Sequence, residues 1–111
     1  MKVNEEYEGT TLDAVDEAVT VNVTDADRIV FQVTGTFTAT ITFEASVDGE
    51  TFVSIGGQAP TGGSIITTLT AAGVWAGIPT HCHGYEKIRA RMSAYTSGSA
   101  LVKWQTGRSV K

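Results

Sequence analysis

Between Phe37 and Ala45 every second residue is apolar: Phe37, Ala39, Ile41, Phe43 and Ala45 fall on one side of an extended chain, and Thr36, Thr38, Thr40, Thr42 and Glu44 on the other. A period of two is that of a β-strand with one buried face. Upstream, Ile29, Phe31 and Val33 alternate with Val30, Gln32 and Thr34. Gly35 between the runs permits a tight turn, so the two strands are expected to pair as a hairpin. Asp48-Gly49 supplies the backbone angles of a second hairpin turn, leading into Thr51–Ile55. The segment 56–63, GGQAPTGG, reads as a loop, because glycine costs entropy in regular structure and Pro60 lacks a backbone donor. Residues 64–70 and 74–78 resume as strands. In the run 85–94, Ile88, Ala90, Met92 and Ala94 are expected inward and Lys87, Arg89, Arg91 and Ser93 outward. Residues 95–99 then turn into a last strand, 100–106, with Val102 and Trp104 on its buried face.

Helical spacing occurs only at Leu12, Val15 and Val19, and β-branched residues make 18–23 a better strand than helix. Seven or eight short strands at turn intervals of about 8 to 12 residues predict an all-β fold, a single antiparallel β-sandwich or jelly roll. An acidic N-terminal arm or edge segment, residues 1–17, precedes the sandwich domain, 18–111.

With 111 residues, 41% hydrophobic and 18% charged, the chain fits one domain, too apolar for disorder and short of charge for a surface that meets only water. Part of that surface is expected to meet protein. The lone Cys82 has no intramolecular disulfide partner. The start, MKVNEEYEG, lacks the basic end and apolar run of an export signal, and no stretch reaches transmembrane length, so no membrane contact is expected. A net charge of -4 argues against binding nucleic acid. The charge is also unevenly placed. Residues 1–28 carry Glu5, Glu6, Glu8, Asp13, Asp16, Glu17, Asp25 and Asp27 against Lys2 and Arg28, whereas 86–111 carry Lys87, Arg89, Arg91, Lys103, Arg108 and Lys111 against Glu86. Such asymmetry either closes within the molecule as rim ion pairs or steers the acidic arm toward basic faces of other chains.

Catalytic patterns do not emerge. The serines lie in strands and turns without a nucleophile elbow, and the glycine-rich loop lacks the lysine and helix of a phosphate site. No enzyme and no cofactor are expected. His81, Cys82 and His83 are the one concentrated set of metal-capable residues. An extended segment converges two of them at most, short of the four a closed zinc site needs, so no metal is assigned. Tyr7, Tyr85, Tyr95, Trp75 and Trp104 suit either core packing, protein contact or a sugar-stacking platform.

The motifs Val33 to Glu44, Ser46 to Phe52, Ala72 to Pro79 and Ile88 to Gly98 resemble those of small β-sandwich virion proteins of tailed bacteriophages. In its size the chain looks most like the jelly-roll capsid decoration, or cement, proteins of epsilon15-like phages. The resemblance implies a non-enzymatic clamp on the outer capsid surface, over junctions of the major capsid protein, made in the host cytoplasm. Other copies of the chain are expected as partners, in a homodimer or higher oligomer. The alternative is a carbohydrate-binding module of a tail or fibre, used in host adsorption. Expected interface residues are Glu5, Glu6, Tyr7, Glu8 and Asp13 of the arm, Trp75, His81, His83, and Lys87, Arg89 and Arg91.

Overall fold

The structure, a computed structural model, describes residues 9–24, 26, 28–77 and 84–107. Eleven strands occur among them: β1 (Gly9–Leu12), β2 (Ala18–Asn22), β3 (Arg28–Thr34), β4 (Phe37–Ser46), β5 (Val53–Ser54), β6 (Gly57–Ala59), β7 (Gly62–Ile66), β8 (Thr68–Leu69), β9 (Gly73–Gly77), β10 (Lys87–Gly98) and β11 (Ala100–Gly107). One sheet has the order β1-β11-β3-β9-β6-β7 and the other β2-β10-β4-β5, with β8 also on β4. Every pairing is antiparallel. Four strands of one sheet, β1-β11-β3-β9, lie over β2-β10-β4-β5, and the chain alternates between them at β1 to β4 and again at β9 to β11. That is the winding of a jelly roll. The short strands β6, β7 and β8 extend it on one flank.

The alternation explains the core. One sheet contributes Leu12, Ile29, Phe31, Val33, Trp75, Ala100 and Val102, and the other Val19, Val21, Ile41, Phe43, Ala45, Ile88, Ala90 and Met92. Phe31, Phe43 and Trp75 bridge the two layers. The Phe43 and Trp75 rings stack at 4.5 Å, and Phe31 lies 5.5 Å from Phe43 and 6.0 Å from Trp75. Burying each phenylalanine stabilises the fold by roughly 1.5 to 3 kcal/mol. The Trp75 indole N–H, which would otherwise be buried without a partner, donates to the Ile66 carbonyl at 3.0 Å.

Four sequence expectations change. β3 and β4 do not form a hairpin: β3 pairs with β11 and β9, β4 with β10, β5 and β8. Gly35, at φ +112°, carries the chain from one sheet to the other. Alternation states which face of a strand is buried but not which strand lies beside it. Next to this crossing, Gly98 (φ +88°) carries β10 into β11, and the Ser99 amide donates to the Thr36 carbonyl at 3.1 Å. β10 therefore runs through residues 95–98, which the sequence suggested as a turn. Within β10 the register slips between Met92 and Ala94, so Ala94 faces outward opposite Thr40, and Tyr95 takes its place beside the core. The glycine-rich 56–63 is a β6-β7 hairpin rather than an open loop. Residues 9–12, in the segment read as arm or edge, form an edge strand on β11, and Leu12 is buried.

Candidate functional site: two sheet faces

The two outer faces of the sandwich differ in charge. On the five-stranded sheet, the outward positions of β4 and β10 bring Glu44 opposite Arg89, with Arg91 one pair further along. Arg89 Nε donates to Glu44 Oε1 at 2.7 Å, and Arg91 reaches Oε1 and Oε2 through Nε and Nη2, both at 3.1 Å. Arg91 Nη1 also donates to Asp16 Oδ1 at 2.8 Å. Asp16 is held in place because the β1-β2 turn is pinned to β10. Its amide donates to the Met92 carbonyl at 2.7 Å, and the Met92 amide donates to the Glu17 carbonyl at 2.8 Å. The Arg89 guanidinium lies 3.8 Å above the Phe52 ring. Glu44 is only 7% exposed. Burial opposes its charged form, but the hydrogen bonds from Arg91 and Arg89 outweigh that and hold its carboxyl below the usual range.

At the end of β4 a second carboxylate is set by a turn. Asp48 Oδ1 accepts from the amides of Glu50 (2.8 Å) and Thr51 (2.9 Å) and from the Ser46 hydroxyl (2.8 Å). The Thr51 and Glu50 amides, then Ser46, lower its pKa from 3.8 to about 2. All three donors belong to the Val47–Phe52 turn and its flank, so the carboxylate serves the turn that joins β4 to β5.

The six-stranded sheet is the opposite case. Its strands contain no Asp or Glu, and Arg28 and Lys103 are their only charged residues. Outward-facing Val30, Gln32, Lys103 and Gln105 lie on the paired strands β3 and β11, since Lys103 is opposite Gln32 and Gln105 opposite Val30. With Arg28, Trp104, Thr106 and Gly107 they line an open groove of about 400 Å³. Apart from its two cations such a face loses little on desolvation, and Gln32 and Gln105 bring amide groups able to hydrogen-bond.

Of the expected interface residues, Lys87, Arg89 and Arg91 share one face, but all three are already paired within the molecule, Lys87 with Glu86 at 3.7 Å. The closure of acidic front on basic back is thus partly intramolecular, through Asp16 and Arg91. Trp75 is fully buried, which removes it as a contact or stacking residue. Asp13 is exposed, and its amide donates to Glu17 Oε1 at 2.8 Å. Glu5, Glu6, Tyr7, Glu8, His81, Cys82 and His83 lie outside the described residues. Among the described residues no three His, Cys, Asp or Glu side chains gather as metal ligands. Sequence reasoning missed the role of Glu44: the lone acid on the polar side of the β4 pattern was the available signal, but its pairing with Arg89 and Arg91 depends on the β4-β10 register. It also missed that residues 51–85 contain no Asp, Glu, Lys or Arg.

Geometry thus defines a jelly-roll sandwich with one ion-paired face and one nearly uncharged face. No protein-family model and no curated protein sequence matches the chain. Among solved structures it is similar to the SPBc2 prophage-derived protein YomS, with a TM-score of 0.66 and 14% sequence identity over 96% of this chain and 100% of that one. This likeness shows the fold.

Proposed function

We propose that this chain is a non-enzymatic structural protein of a tailed-bacteriophage particle, acting as a capsid decoration or cement protein. The observation that carries the reading is the jelly roll shared end to end with a prophage-derived protein. The agreement spans 96% of this chain and 100% of that one. The motif resemblance to phage virion proteins points the same way. A cement protein works by covering a seam with a rigid body, and in this reading the two faces take different parts. The six-stranded face, with Val30, Gln32, Lys103 and Gln105, is the side laid on capsid subunits. The five-stranded face, its arginines neutralised by Glu44 and Asp16, is the stiff outer side. Many copies of a modest contact then hold a shell against internal pressure.

A second reading, adsorption through a carbohydrate, is favoured by one feature. A groove on the five-stranded sheet is lined by Thr38, Thr40, Thr70 and Thr96 beside half-buried Phe37 and Tyr95. It joins hydroxyl groups to an aromatic surface, as sugar binding requires. One experiment separates the two. Purified protein is mixed with heads that lack it, and bound protein and heat resistance of the heads are measured beside a host-glycan binding assay. Stoichiometric binding with greater resistance is the expected result. Failure to bind heads overturns the cement reading, and saturable glycan binding moves the assignment to adsorption.

A further inference from the structure

The flank formed by residues 51–77 presents β7 as the outermost strand of the six-stranded sheet, hydrogen-bonded on one side to β6. Natural edge strands are protected from pairing by charged residues, proline or a covering segment. β7 has the sequence Gly62-Gly63-Ser64-Ile65-Ile66, with no charge and no proline, and Ile65 is 51% exposed. The charge-free stretch extends from Thr51 to Tyr85, so the neighbouring strands carry no guard either.

We propose that β7 is a self-pairing edge. Two copies of this chain join antiparallel through Gly62–Ile66, about a two-fold axis at Ser64, so that their six-stranded sheets become continuous. Three observations select a second copy as the occupant. The first is charge. A chain of net charge -4 repels itself, and the strands that end the two sheets elsewhere stand close to acids: β1 is followed by Asp13, β2 is preceded by Asp16 and Glu17, and β5 follows Asp48 and Glu50. At β7 two copies approach without like-charge contact. The second is the sequence of the strand, which is self-complementary. Read against itself with Ser64 opposite Ser64, it sets Ile65 opposite Gly63 and Ile66 opposite Gly62, a bulky residue facing a vacant position at each pair. The third is space. Among the described residues nothing lies within 4 Å of where a side chain at Gly62 or Gly63 would begin, so the exposed Ile65 of the other copy has room to settle there. An isologous contact of this kind closes as a dimer and does not grow into a filament.

The test uses the full chain in sedimentation equilibrium across a range of protein and salt concentrations. A reversible dimer whose affinity does not weaken with added salt is expected, since the contact is uncharged. Ile65→Lys raises the dissociation constant at least ~tenfold. Ser64→Glu and Ser64→Lys each do the same, because like charges then meet on the axis, and an equimolar mixture of the two restores a heterodimer. Circular dichroism and melting temperature stay close to those of the parent, Ser64 and Ile65 being exposed. Hydrogen exchange on the unmodified protein tests the same edge without substitution. Protection at 62–66 that rises with protein concentration supports the proposal. A single-chain mass at every concentration, a dimer indifferent to these substitutions, or exchange at 62–66 independent of concentration overturns it.

Discussion

At the scale of single residues, Glu44 shows how a charge can be built into a sheet surface. Its carboxylate accepts three hydrogen bonds from two guanidinium groups, and neither arginine is more than about a quarter exposed. Glu44→Gln leaves both arginines without their shared counter-charge, and a loss of about 2 kcal/mol in urea unfolding is expected. The same carboxylates set the response to acid. A carboxyl whose pKa is lowered by folding stabilises the fold above its unfolded value, and that contribution is lost as the pH falls through the folded value. For Asp48 the window lies between 3.8 and about 2. For Glu44 the loss begins below 4.5. Carboxyl titration by NMR is expected to place the Asp48 midpoint near 2, and the urea midpoint is expected to be insensitive to these two groups at neutral pH and to fall below pH 4.5. An ordinary midpoint for Asp48 would contradict the turn geometry of Ser46, Glu50 and Thr51.

At the scale of elements, the strand faces were legible because alternation is a local property of the chain. Phe37 to Ala45, Ile29 to Val33 and Ile88 to Met92 all bury the side that their pattern marks. Partners were not legible. Gly35 suits a hairpin and a crossing between sheets equally well, and only the packing of distant strands decides between them. Nor was the slip after Met92, which depends on how β10 meets β4 and β2 and reverses Ala94. The paired crossings can be tested directly. Gly98 has a positive φ, and an added side-chain carbon would collide with the Thr36 carbonyl oxygen and Phe37 Cα. Gly98→Ala is expected to cost about 2 kcal/mol or more, read as a lower urea midpoint. A neutral result would mean that the two crossings are not locked together.

At the scale of the molecule, the tryptophans report on opposite conditions: Trp75 is sealed between the layers and Trp104 is half-buried at the groove. Trp104→Phe is expected to remove most of the acrylamide-quenchable fluorescence, whereas Trp75→Phe leaves it and lowers stability. The sandwich class was readable from periodicity and turn spacing. The division of charge between two faces was not, because it follows from the strand order that places Arg28 and Lys103 on one sheet and Glu44, Arg89 and Arg91 on the other. That order has a further consequence in time. β1 lies against β11, so a strand made early has its place only once β11 has been made, and β3 and β4 likewise wait for β11 and β10. Contacts so remote along the chain must close large loops before they return any stability, which makes for slow folding. A nascent chain stopped before β10 holds unpaired edges along the centre of both sheets. Its vulnerable period is therefore the interval of its own synthesis.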